Sequence, residues 1–245
     1  AAGNDNTAAA TQFAFTHDAT APTITTVAVA GATEDGYGVA STYVVTITPS
    51  ETLGAVPTLT VTGGSITTAG AASNANYVYT VTPSDADEAM TVVVAVGGAA
   101  DSAGNTNTAA SNNFGWTHDA TAPTVVITST SVNTGGRHNG ALTMIFTFSE
   151  EMTGIADGDF TFTNCASSAY SVATANTVFH QVCTPDTHGE TITIAVAASK
   201  GTDAAGNNNA AATSFTFTYD SSVPTVSSIA VTGVTSGQYG TAATY

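Results

Sequence analysis

Eight carboxylates stand at matched positions along this chain. They are Asp18, Glu51 and Asp101, then Asp119, the adjacent Glu150 and Glu151, and Asp203, with Asp220 opening a third set. Arg137 and Lys200 are the chain's two cations against eighteen Asp and Glu, so nothing local pairs most of these acids. Carboxylates gathered without a basic partner repel one another, and a hard, oxygen-seeking cation such as Ca²⁺ relieves that repulsion. Asn105 and Asn207, or backbone carbonyls of their turns, can complete an oxygen shell. A second reading stands beside the first. Asp-x-Ala-Gly-Asn is also a plain turn sequence, and Asp18 and Asp119 can act as backbone caps in a purely structural polar rim. The spacing does not match an EF-hand loop, which removes a tight sensor-type site. Glu34, Asp35, Asp85, Asp87, Glu88, Asp157 and Asp159 occur in one stretch without a counterpart and read as solvated turns.

The remaining reactive side chains say less. Cys165 and Cys183 lie 18 residues apart between strand-like flanks, so they read as a disulfide, with two buried thiols as the alternative. His17 and His118 precede a linker Asp where a third copy has Tyr219, which suggests a flat ring packed at a junction. His138, His180 and His188 have no partner at metal-ligand spacing. No nucleophile elbow, phosphate loop or dinucleotide fingerprint occurs, so the chain does not read as an enzyme.

The elements that hold these residues repeat with a period of about 101 residues. His17-Asp18-Ala19-Thr20-Ala21-Pro22-Thr23 returns as His118-Asp119-Ala120-Thr121-Ala122-Pro123-Thr124, and again as Tyr219-Asp220-Ser221-Ser222-Val223-Pro224-Thr225. Ala2-Gly3-Asn4, Asp101-Ser102-Ala103-Gly104-Asn105 and Asp203-Ala204-Ala205-Gly206-Asn207 keep nearly the same beat. That period is the size of a small domain. Residues 1–17 read as the last strand of a truncated domain, 18–118 and 119–219 as two complete domains, and 220–245 as the start of another. Tyr245 then falls inside a strand, and the chain reads as a window on a longer repetitive protein.

Short runs rich in Val, Thr, Ile, Phe and Tyr, separated by Gly, Pro, Asn and Asp, predict strands throughout. In the first domain they are 23–31, 40–48, 56–62, 75–82, 89–97 and 109–117. In the second they are 124–132, 141–149, 158–164, 168–173, 176–183, 190–197 and 210–219. Alternation in Phe13-Ala14-Phe15, Phe114-Gly115-Trp116 and Phe215-Thr216-Phe217 points aromatics at a core. No segment carries a helical apolar stripe. Six or seven strands per 100 residues is the arithmetic of an all-β, tandem immunoglobulin-like β-sandwich. In that topology the first linker, the loop after the second strand and the loop before the last strand share one end, which would gather the acids.

The linker Asp-Ala-Thr-Ala-Pro-Thr-Val at 119–125, Phe-Thr-Phe-Ser-Glu at 146–150 and Asp-Ala-Ala-Gly-Asn-Asn-Asn at 203–209 resemble the bacterial Ig-like repeats of large surface proteins and adhesins. They are similar, more loosely, to cadherin-like domains. The resemblance covers essentially the whole chain and implies tandem sandwiches, an extracellular location and often calcium near domain junctions. It implies no single ligand, because many such repeats serve as stalk. Composition agrees with that setting. A net charge of −16 excludes a nucleic-acid partner and disfavours anionic lipid. No run reaches the roughly 20 apolar residues of a membrane span. No Asn-x-Ser/Thr sequon occurs, while the many Thr and Ser leave O-glycosylation open. The leading expectation is a structural segment of an extracellular stalk, filament or surface-layer-like assembly, partnered by copies of itself or neighbouring Ig-like domains. The alternative is an adhesin module for a surface glycan or protein, with Tyr37 and Tyr239 at matched positions as candidates, although Tyr in a hairpin turn is more often packing.

Overall fold

A computed structural model describes residues 12–73, 76–232, 234–237 and 239; Tyr245 and the Ala2-Gly3-Asn4 marker lie outside them. The chain divides into two compact units. The first comprises Ala1–Ala122 with Thr202–Asn207, the second Pro123–Gly201 with Asn208–Tyr245.

The first unit contains β1 (Ile24–Ala30), β2 (Tyr37–Gly38), β3 (Tyr43–Pro49), β4 (Leu59–Thr62), β5 (Gly64–Ser73), β6 (Asn76–Pro83), β7 (Asp87–Val94) and β8 (Phe114–Asp119). They form two four-stranded sheets, ordered β1-β3-β6-β5 and β2-β8-β7-β4. All pairs are antiparallel except β2 with β8, which run parallel through Tyr37↔Thr117 and Gly38↔His118. Period-2 patterning explains the layers. Tyr43, Val45 and Ile47 of β3 point inward opposite Val81, Tyr79 and Tyr77 of β6, and meet Met90, Val92, Val94 and Trp116 from the other sheet. The intervening Val44, Thr46 and Thr48 are at least partly exposed.

The second unit repeats the plan with β9 (Val125–Ser129), β10 (Gly136–His138), β11 (Leu142–Phe148), β12 (Phe160–Thr163), β13 (Cys165–Thr174), β14 (Val178–Pro185), β15 (Thr191–Val196) and β16 (Phe215–Tyr219). Its sheets are β13-β14-β11-β9 and β10-β16-β15-β12, and β10 pairs in parallel with β16. Phe146 sits opposite Phe179, with ring centroids 4.1 Å from Phe160. Ile192 and Ile194 pair with Phe217 and Phe215 to close the core. Cys165 and Cys183 are joined by a disulfide that ties β13 to β14.

Two expectations need correction. Residues 109–113 and 210–214 are loop rather than strand, so β8 starts at Phe114 and β16 at Phe215. There the Ser111 hydroxyl takes the N–H of Val94 at 2.9 Å, standing in for a ladder bond. Phe13 and Phe15 are 87% and 78% exposed, with ring centroids 6.1 Å apart. His118 is not a junction ring. It is 4% exposed inside the first unit, where Nδ1 lies 2.7 Å from the Tyr43 hydroxyl and 3.1 Å from the Gly38 carbonyl. Burial raises the Tyr43 pKa, a rise partly offset by the Trp116 indole and the Ala40 backbone.

Candidate functional site

The start of the first unit is built by three short stretches. Asp18 precedes β1 and accepts the Thr20 N–H on Oδ1 at 2.9 Å, the Asx turn that aims the chain at Pro22. Thr23 and Ser50 then clasp each other: the Ser50 N–H donates to the Thr23 carbonyl at 2.8 Å, and the Thr23 N–H to Ser50 Oγ at 3.0 Å. That clasp fixes Glu51, the next residue, at the same end of the sandwich. Leu53 bridges Asp101 through the backbone, and the Gly54 N–H donates to the Ala100 carbonyl at 2.9 Å. A Cβ on Gly54 would lie 2.7 Å from the Asp101 carbonyl oxygen, so the approach of these two loops demands glycine.

Asp101 is 6% exposed and fully engaged. Its Oδ1 accepts the Asn105 N–H at 2.8 Å and its Oδ2 accepts Asn105 Nδ2 at 2.7 Å. The same Nδ2 donates to the Asp18 carbonyl at 3.2 Å. One amide therefore fastens the turn before β8 to the chain at the start of the unit, across 87 residues of sequence. The Asn105 side-chain bond leads the causes that lower the Asp101 pKa. Asp18, Glu51 and Asp101 each offer a carboxylate oxygen, all within 4.8 Å of one another.

The arrangement recurs around Asp119. Asn207 Nδ2 donates to Asp203 Oδ2 at 2.9 Å and to the Asp119 carbonyl and Oδ1 at 3.0 and 3.3 Å. Asp203 Oδ1 accepts the N–H groups of Gly206 and Asn207 at 2.7 and 2.8 Å. Desolvation is the largest cause raising the Asp119 pKa; the Thr121 N–H opposes it, while Asp203 and Asp87 add like charge. Glu150 and Glu151 lie in the second unit, after the matching Thr124 and Ser149 clasp, and Glu151 accepts Asn176 Nδ2 at 3.4 Å. Asp220 departs from the pattern: Arg137 pairs with it at 3.5 Å, and its pKa is lowered first by the Ser222 hydroxyl. Asp159 pairs with Lys200 at 3.6 Å, so it is not a merely solvated turn residue.

Sequence reasoning passes over Asn107 and Asn209. Each is almost completely buried and replaces a missing strand edge. Asn107 accepts the Ala99 N–H and donates to the Ala95 and Ala109 carbonyls. Asn209 accepts the N–H groups of Lys200 and Gly201 and donates to the Ala197 and Ala210 carbonyls. Their sequence signal is the second Asn two residues after Asn105 and Asn207, in both repeats. A cleft of about 490 Å³ beside β9, lined by Val125, Ile127, Val132 and Phe215 among others, contains no titratable side chain.

Residues 119–219 match the family model for a bacterial Ig-like domain. The second repeat is thus similar to that family over its whole length. No curated protein matches the chain. Among solved structures, the chain is similar to the adhesin InvE of Yersinia pseudotuberculosis at 13% identity and a TM-score of 0.30, over 79% of this chain and 58% of that one. It is also similar to the I9–I11 tandem of titin at 11% identity and a TM-score of 0.21, over 77% of this chain and 65% of that one. The chain thus spans less than two thirds of either neighbour. Among the described residues no helix is long and apolar enough to cross a membrane.

Proposed function

We propose that this chain is a spacer segment of an extracellular or cell-surface protein, in which each Ig-like repeat adds reach and the Asp–Asn turn holds the linker still. The observation that carries this reading is the shared amide: Asn105 bonds both Asp101 and the Asp18 carbonyl, and Asn207 both Asp203 and the Asp119 carbonyl. A side chain spent on linker backbone is a device for orientation, and its recurrence fits a repeated spacer better than one ligand site. Divalent cation, calcium by its hardness, is the proposed cofactor of the same corner. The donor set fits: three carboxylates converge, and no Lys or Arg occurs in residues 1–122 or 202–207 to neutralise them. Glu150 is the sequence counterpart of Glu51 for the second repeat.

The test compares the chain with its Asn105→Ala/Asn207→Ala variant by small-angle scattering, with calcium and with chelator. Wild type should be stiffer than the variant, and stiffest with calcium, which should also raise Tm. Identical scattering profiles for both proteins sink the latch, and an unchanged Tm with calcium sinks the cation. Saturable binding of a glycan or host protein by the isolated chain would instead favour the adhesin alternative.

A further inference from the structure

One peptide step of the second unit sits where its side chain and backbone can react with each other. Asn139–Gly140 is the only Asn–Gly step in the sequence. A glycine there puts no Cβ between its backbone nitrogen and the Asn side-chain carbonyl carbon. β10 ends at His138 and β11 begins at Leu142, so residues 139–141 form a bend outside both ladders. Asn139 is exposed, and a Cβ on Gly140 would meet no atom within 4 Å. Comparable steps are held. In Asp35–Gly36 the Gly36 N–H donates to the Thr33 carbonyl at 2.9 Å, which occupies the nitrogen that would attack. In Asp157–Gly158 the aspartate stands in a short 3₁₀ turn, and its Oδ1 accepts the Gln181 amide. Asn105, Asn107, Asn207 and Asn209 spend their own amides on hydrogen bonds.

We propose that Asn139 deamidates spontaneously through Gly140, and that the isoaspartyl product loosens the hold of β10 on β16. The Gly140 nitrogen loses its proton to hydroxide and bonds to the Asn139 side-chain carbonyl carbon. The bond from that carbon to the side-chain nitrogen breaks, ammonia leaves, and a five-membered succinimide closes. Water then opens the ring. Cleavage between the nitrogen and the side-chain carbonyl gives aspartate. Cleavage between the nitrogen and the main-chain carbonyl gives isoaspartate, whose main chain runs through Cβ. Either way one amide and one water become one carboxylate and one ammonium ion, with no change of oxidation state. The consequence falls on the neighbouring residue. The His138 carbonyl accepts the Asp220 N–H at 2.9 Å and closes the parallel β10–β16 ladder. Isoaspartate inserts a methylene into the main chain directly after that carbonyl. The new carboxylate also enters a cleft of about 250 Å³ lined by Arg137, His138, Asp220 and Ser222, where it competes with Asp220 for Arg137.

The whole chain, incubated warm in mildly alkaline heavy-oxygen water and then mapped by electron-transfer fragmentation, should gain label and isoaspartate at position 139. Gly140→Ala should slow this severalfold. Asp35→Asn writes a second Asn–Gly step into the turn whose Gly36 N–H is already bonded, and that step should react severalfold more slowly than Asn139 in the same molecule. In the aged protein, hydrogen exchange should quicken at the Asp220 amide and stay unchanged at the amides of β14. An unlabelled position 139, or a rate that Gly140→Ala leaves unchanged, overturns the site. Equal rates at positions 35 and 139 overturn the role given to the open bend. Unchanged exchange at Asp220 in protein that carries isoaspartate overturns the loosening.

Discussion

Two aspartates of the repeated acidic motifs, one from a turn and one from a linker, sit in opposite electrostatic circumstances. Asp101 accepts hydrogen bonds on both oxygens, chiefly from Asn105, and these favour its charged form. Its folded pKa lies below the unfolded value, so its contribution is present above the unfolded carboxylate range and lost as pH falls through the folded pKa. Asp119 is desolvated and faces Asp203 and Asp87, so its folded pKa is raised. Its charge therefore costs stability above the folded pKa, and the cost shrinks as pH falls below that value and is gone below the unfolded carboxylate pKa. Asp101→Asn turns an acceptor into an amide that confronts the Asn105 donors, and should lower Tm by several degrees at neutral pH in chelator. Asp119→Asn keeps an oxygen for the Thr121 N–H and sheds the like charge, so Tm should hold or rise. Thermal melts of both variants at pH 7 and pH 4 decide the matter, and a matching drop at pH 7 would contradict this account.

At the scale of elements, the disulfide joins the edge strand β13 to its neighbour β14, with Cys183 wholly buried and Cys165 nearly so. Closing an 18-residue separation contributes about 3 kcal/mol by loop entropy. Cys165→Ala/Cys183→Ala should destabilise the second unit by roughly that amount, and leave the first unit's transition in place. Denaturant titration followed by unit-specific proteolysis reads this out; a shift of both transitions would argue against it. Much of this architecture is legible in the sequence. Strands β3, β7, β11 and β15 alternate cleanly because one face of each meets a core. β5 escapes such a reading, and β13 shows only in part, because edge strands with much of both faces exposed need no alternation, and register shifts interrupt them. The two short parallel pairings are invisible because partners some 80 residues away impose them. The meeting of Asp18, Glu51 and Asp101 can be reasoned from topology. The Asn105 latch cannot, since nothing in the residue type tells whether its amide turns to a cation or to a carbonyl.

For the molecule as a whole, the same latch must act against a high self-repulsion. Monovalent salt at the level of 0.15 M shortens the reach of that repulsion to about 8 Å. Salt should therefore raise the stability of both units modestly and without saturation at low concentration, whereas a bound divalent ion should saturate. A Tm that follows ionic strength alone, whichever cation supplies it, would leave only screening. The parallel pairs β2–β8 and β10–β16 have a further consequence when the two ends of the chain are drawn apart. Each pair joins a strand near the start of its unit to the strand that leaves it, so tension loads every bond of the pair in shear at once. The second unit has three paired residues in that ladder and the first has two. Pulling on single molecules should therefore rupture the first unit at the lower force. The disulfide lies off this line of load, between β13 and β14. It should withhold roughly 60 Å of slack from the second rupture, at about 3.4 Å per residue for the enclosed segment, and return it under reducing agent with the peak force unchanged.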